Sequence, residues 1–236
     1  KFKMKNLFAY FIGFLIIFSV KDLTAQKMIS KGSVKMEITK VTSDDPQMAM
    51  GLEMMKGSQT EVVFKEDQYI TTVDMMGGMV KMKIFVEQSK NAMNMLMDAM
   101  GNKTWIETKL DETQDAKEKE ISALTKVEYD KNDTKEVLGY KCYKMTITNP
   151  EMEGTTVTGY VTEDIKTKAN IIQGFQSVNL AGYPMEFTMN NSKFAMTMTA
   201  VDLKETVDES KFNLDTKGYK KMTMEEFKKS MGGFGF

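Results

Sequence analysis

The chain has 236 residues, with 32 basic side chains, all of them lysine, against 33 acidic ones; it holds no histidine and no arginine, one cysteine and 24 methionines. Without histidine there is no Ser-His-Asp or Cys-His engine and no imidazole metal site. A single cysteine closes no internal disulfide and builds no Cys-rich zinc site, and the balanced charge leaves no electrostatic footprint for nucleic acid.

The N-terminus comes first. Lys1, Lys3 and Lys5 precede a 14-residue apolar run, Leu7 to Val20, and Leu23-Thr24-Ala25 follows as a small-residue exit. A membrane-spanning helix needs about 20 apolar residues, whereas the apolar core of a signal peptide needs about 7–15. The pattern predicts a cleaved signal over residues 1–25 and an exported chain, periplasmic or secreted. The mature portion, 26–236, then carries 28 lysines and 32 acids, a net charge of −4. No later stretch is apolar for long enough to span a bilayer as a helix, and no repeat or Pro/Ser-rich linker divides it. One domain is expected over 26–236.

Short alternating runs dominate that portion. In GSVKMEITKV, Val34, Met36 and Ile38 face one way, and Lys35, Glu37 and Thr39 the other. QTEVVFKE and YITTVDM are strand-like and meet at Glu66-Asp67-Gln68, a predicted hairpin, and Gly77-Gly78 marks the next turn. MVKMKIFVE then sets Val80, Met82, Ile84 and Val86 against Lys81, Lys83 and Phe85. KVEYD, YKCYKMTIT, TTVTGYVTE, PMEFTMN and KFAMTMTAVDLKE follow. Period-two runs rich in Thr, Val, Tyr and Phe suit a half-buried pleated surface, and short connections favour antiparallel pairing.

Helices are predicted at three or four places. Pro46 to Lys56 is Met-rich with a proline near its start. Gln88 to Met100 places Lys90, Asn94 and Asp98 on one side and Ala92, Met93, Leu96, Met97 and Met100 on the other, a helical spacing. Asp111 to Leu124 reads as a charged, solvated helix or loop. Thr223 and Glu226 have capping-box spacing ahead of Met224, Phe227 and Met231. The fold class expected is mainly β (α+β): a curved antiparallel sheet or half-open barrel of about eight to ten strands, with three or four helices over its concave face.

Little else in the chain carries chemistry. Cys142 lacks a histidine base and reads as a small buried hydrophobe. Asp130-Lys131-Asn132-Asp133 lacks the glycine and distal glutamate of a calcium loop and reads as a turn. No phosphate-binding glycine motif or nucleophile elbow occurs. The methionines cluster at 48–55, 75–82, 93–100 and 185–198. Soft thioethers select Cu(I) or Ag(I); flexible thioethers also line adaptable apolar cavities.

Two stretches carry a resemblance. Lys135 to Lys144, KEVLGYKCYK, is similar to a K-x-I-x-G-Y-x-C-x-K signature of exported Bacteroidota-type proteins of unknown function. It is followed by the strand Gly159 to Asp164, which ends in an acidic turn. Val207 to Phe212 with Gly218, Tyr219 and Met222 resembles their closing D-x-S-x-F…P-x-G-Y-x-x-M element, except that Asp215 or Thr216 stands where a proline is usual. These families resemble, distantly, the LolA- and LolB-like lipoprotein carriers. The resemblance implies a half-open antiparallel sheet plugged by helices and an apolar cavity for acyl chains. The carriers' gating arginine has no counterpart here.

Together these observations predict a non-catalytic exported carrier or binding protein for a hydrophobic ligand, lipid or lipoprotein acyl chain. Its lining is expected at Met50, Met54, Met93, Leu96, Met97 and Met100, with Val80, Met82 and Ile84 from a strand. No cofactor is called for. The partners expected are a hydrophobic small molecule or lipid and outer-membrane or envelope proteins, with no nucleic acid. Three alternatives stand beside this one: a Met-rich Cu(I) or Ag(I) protein, a small outer-membrane barrel, and an interaction or structural protein of the envelope without a small ligand.

Overall fold

The computed structural model describes residues 28–113, 122–152, 154–172, 175 and 178–231. The predicted signal segment lies outside them. Among the described residues the fold is mostly β, one open sheet of twelve strands with three short helices. Six strands form a first antiparallel meander: β1 (Lys31–Ser43), β2 (Gln59–Lys65), β3 (Gln68–Met75), β4 (Val80–Glu87), β5 (Ala92–Ala99) and β6 (Asn102–Lys109). Five form a second: β7 (Lys126–Val137), β8 (Tyr140–Thr148), β9 (Thr156–Thr162), β10 (Tyr183–Asn190) and β11 (Phe194–Lys204). The meanders join where β1 pairs antiparallel with β11. The chain then returns across the whole first meander, and β12 (Lys220–Met222) pairs in parallel with β6 at the far edge.

Turn chemistry sets the hairpins. Met100-Gly101 and Leu138-Gly139 each place two successive residues at positive φ (52° and 86°, 52° and 83°), the twist that matches a two-residue hairpin. The predicted turns at Glu66-Asp67 and Gly77-Gly78 join β2 to β3 and β3 to β4.

The two faces of the sheet differ. On one, the core face, Val34, Met36, Val62, Met145, Ile147, Val157 and Val161 are completely buried. They are sealed by the irregular segment 163–182, whose Ile165, Ala169, Ile172 and Phe175 belong to the same cluster. Asn170 organises that segment: its Nδ2 donates to the carbonyls of Phe175 (2.7 Å) and Val178 (2.9 Å), and its Oδ1 accepts from Ile172 N. Ile29 pins it at the start, donating to Asp164 O (2.7 Å) and accepting from Lys166 N (2.8 Å). Among the described residues the cover over this half is irregular, where helices were expected.

On the other, outer face, the return segment after β11 lies over β2 to β4. Lys211 pairs with Glu61 (2.8 Å), Lys65 pairs with Glu209, and Phe212 meets Phe85 edge-on at 5.9 Å between centroids. Beneath this strap Val63 and Ile70 are buried to within 2 % exposure.

Helix α1 (Pro46–Glu53) starts under an Asp45 cap, whose Oδ1 accepts from Gln47 N and Met48 N. Leu52 and Met55 pack on the core from its C-terminal end. A single helical turn stands at 122–124. Helix α2 (Met224–Met231) opens with the expected capping box: Glu226 Oε2 accepts from Thr223 N (2.8 Å) and Thr223 Oγ1 accepts from Glu226 N (3.1 Å). No helix among the described residues is long and apolar enough to cross a membrane.

Three expectations need correction. Residues 92–99 are strand β5, and a turn at 88–91 with Asn91 at φ 50° precedes it. The helical spacing of Met93, Leu96 and Met97 loses to the backbone partners that β4 and β6 offer on either side. Residues 131–133 are a three-residue bulge within β7, after Asp130, whose Oδ1 accepts from Asn132 N, rather than a turn between elements. The charged stretch, expected as a helix or loop, needs no correction: a 3-10 turn at Leu110–Glu112 opens it, a helical turn at 122–124 ends it, and residues 114–121 lie outside the described set. With β5, β6 and β12 added, the strands number twelve rather than eight to ten.

Candidate functional site

The candidate site is the core face of β3 to β6, where, among the described residues, the cover over the other half of the sheet gives out. Antiparallel register puts directly opposed residues on one face. Val73 opposes Met82, which opposes Met97, which opposes Thr104. One step along, Ile84 opposes Met95, Met95 opposes Ile106, and Ile106 stands beside Met222 of β12. A step further, Tyr69 opposes Val86, Val86 opposes Met93, and Met93 opposes Thr108. The result is a continuous apolar surface floored by Val86, Met95 and Ile106, which are buried, and rimmed by half-buried Met82, Ile84, Met93 and Met97. Tyr69 closes it on the side of the sealed core, and burial raises its phenol above the ordinary tyrosine range.

The surface runs into an open groove of ≈ 740 Å³ at the β6–β12 edge. Thr108, Met222 and Met224 bring the apolar strip into that groove, and Glu107, Glu112, Glu225, Glu226 and Lys221 ring it. Lys221 donates to Glu107 (2.7 Å) and sits 4.5 Å from the centre of the Trp105 ring. A second groove, ≈ 540 Å³, lies at the ends of β7 to β9 among Lys126, Asn149, Pro150, Met152 and threonines.

The structure brings five expected lining residues together on one face: Val80, Met82, Ile84, Met93 and Met97. It separates the rest. Leu96 is 4 % exposed but points to the outer face, between Lys83 and Trp105, because a strand alternates where a helix would not. Met50 and Met54 stand outward on and just after α1, 72 % and 56 % exposed, and Met100 sits at a hairpin tip, 78 % exposed. Sequence reasoning missed Met95, Ile106 and Met222. The alternation of Thr104, Ile106 and Thr108 against Trp105 and Glu107 was the signal for β6.

Elsewhere the polar chemistry is structural. Cys142 is completely buried, its thiol donates to Tyr140 O (3.4 Å), and burial pushes that thiol up to about 11. Asp133 accepts from Lys144 (2.8 Å) and Tyr160 (3.0 Å), and the Lys144 hydrogen bond holds its carboxyl below the usual carboxylate range. Glu163 is held low in the same way by Lys131, then by Tyr143. These pairs fasten the bulge of edge strand β7. Among the described residues no group of three or more His, Cys, Asp or Glu side chains is arranged to hold a metal ion.

No model of a known protein family matches the chain, and no curated protein matches it. Solved structures give distant likenesses. The lipoprotein LppX of Mycobacterium tuberculosis is 10% identical with a TM-score of 0.34, over 75% of this chain and 88% of that one. LprF from Mycobacterium bovis is 11% identical with a TM-score of 0.32, over 78% and 90%. MucB is 9% identical with a TM-score of 0.33, over 81% of this chain and 60% of its own. Similarity at this level identifies no function.

Proposed function

We propose that the chain is an exported, non-catalytic binding or carrier protein for an amphiphile with a long acyl chain, bound along the core face of β3 to β6. One observation carries this reading: Met82, Ile84, Met93 and Met97 stay half-buried around buried Val86 and Met95, while the same face of β1 and β2 is sealed. Contiguous apolar surface of that kind marks a binding site. Its rims are unbranched thioethers, which repack around chains of differing shape at small cost. The groove beyond Thr108 and Met222 offers the polar end of such a ligand hydroxyl, carboxylate and ammonium groups. The N-terminal signal pattern supports export, and the envelope is the compartment in which such a carrier meets its cargo.

The test is native mass spectrometry and fluorescent fatty-acid titration of the full chain. One acyl chain per protein is expected, and Met82→Glu with Met97→Glu should weaken it at least tenfold, as expected for a carboxylate forced against an alkyl chain. Leu96→Ala, on the opposite face, should leave affinity within about twofold. A folded wild-type chain that takes up no fatty acid or phospholipid, or a double variant that binds as well as wild type, overturns the proposal.

A further inference from the structure

We propose that Met76, Met79 and Met100 form a site for one soft monovalent cation, Cu(I) or Ag(I), at the hairpin ends of the first meander. The acyl-binding face is not part of it. Met76 opens the turn between β3 and β4 (Met76–Gly78), and Met79 closes that turn. Met100 begins the turn between β5 and β6, and its backbone N donates to Met79 O at 2.9 Å, which locks the two hairpin ends together. Residues three apart across a tight turn lie within about 7 Å at Cα. Three flexible thioethers therefore start from adjacent backbone positions, and all three are exposed: Met76 37%, Met79 46% and Met100 78%.

The backbone supplies a second argument. Met76 and Met100 both hold positive φ, 54° and 52°, and each is followed by a glycine with the same sign. Left-handed backbone is unfavourable for a long side chain and neutral for glycine. Leu138-Gly139 adopts the same pair of angles in its hairpin, so the conformation itself is turn chemistry; what it does at Met76 and Met100 is hold both side chains in solvent at the adjoining ends of the β3–β4 and β5–β6 hairpins.

The donor set names the ion. Neutral thioether sulfur is soft and prefers Cu(I) and Ag(I); Zn(II), Ca(II) and Mg(II) favour nitrogen or oxygen donors, and the carboxylates at this end, Asp74 and Asp98, each stand opposite a lysine. The nearby charges on the outer face alternate and cancel: Lys81 opposes both Asp74 and Asp98, and Asp98 opposes Lys103. A monovalent cation meets no net repulsion there.

The test is Ag(I) titration of the full chain in chloride-free buffer, read by calorimetry and by the methyl resonances of 13C-labelled methionine. One Ag(I) per chain is expected, with shifts confined to Met76, Met79 and Met100. The triple variant Met76→Leu, Met79→Leu, Met100→Leu keeps bulk and strain and should lose at least tenfold in affinity. Met28→Leu, exposed at the opposite end of the sheet, should lose none. The inference is overturned by silver binding that survives in the triple variant, by shifts spread over every exposed methionine including Met28, or by no binding. Fatty-acid uptake, measured on the same triple variant, is expected unchanged, so each proposal fails separately.

Discussion

Cys142 and Gly159 show what single positions contribute to the sealed half of the sheet. Folded Cys142 titrates at about 11 against an ordinary 9.0, raised mainly by burial. The neutral thiol is thus the form that the fold favours. Its contribution is complete below pH 9 and is lost as pH rises through 11. Native protein at pH 8 should react with a disulfide reagent far more slowly than protein in guanidinium. Between pH 9 and 11 the wild type should lose more Tm than Cys142→Ala does. Gly159 lies in β9 against β10, where an added Cβ would stand 2.3 Å from Glu186 O and 2.8 Å from Phe187 Cβ. Backbone cannot give way as a side-chain tip can, so Gly159→Ala should cost about 2–4 kcal/mol in urea unfolding. Tyr183 Oη is buried and has no hydrogen-bond partner among the described residues, and burial raises its phenol. Tyr183→Phe, which removes an unpaired hydroxyl, should raise stability by about 1 kcal/mol in the same assay.

Among elements, β1 to β4 and β8 to β11 were legible because β-branched and aromatic residues alternate with polar ones at a clean period of two. β5 was not. AMNMLMDA is built from good helix formers, and Met93, Leu96, Met97 and Met100 fit a helical stripe as well as a strand. Only the open edges of β4 and β6 decide the matter, and those are tertiary facts. The candidate site inherits this ambiguity: five residues reach the expected face under either period, while Leu96 goes to the other. The plug 163–182 was unreadable for a different reason. It has no period at all, and its order comes from Asn170 side-chain bonds and the Ile29 bridge. The outer strap has one aromatic anchor. Phe212→Ala removes the ring packed on Phe85 and beneath the Lys65 ammonium, 4.6 Å from its centroid. A loss of about 1–3 kcal/mol is expected, with increased binding of an apolar dye where Val63 and Ile70 become wet.

The molecule as a whole is two meanders of unequal burial sharing one sheet. Its sealed half holds completely buried side chains on β1, β2, β8, β9 and β10, whereas the core face of β3 to β6 sets buried Val86, Met95 and Ile106 among half-buried neighbours. Amide exchange should therefore be slowest in β8 to β10 and faster in β4 to β6, the order that local opening follows. A ligand seated on the half-open face binds only the folded chain. Fatty acid at a hundredfold excess over its Kd should add about 2.7 kcal/mol and raise Tm, and should slow exchange most in β4 to β6. The parallel return of β12 to β6 has a consequence for synthesis. A ribosome delivers β6 more than 100 residues before Lys220–Met222, so the hydrogen-bonding flank of β6 stays bare until those residues emerge. Bare strand flanks template aggregation. A nascent chain arrested after Lys204 should clump or engage holdase chaperones, and release of the missing C-terminal peptide into the same mixture should restore solubility.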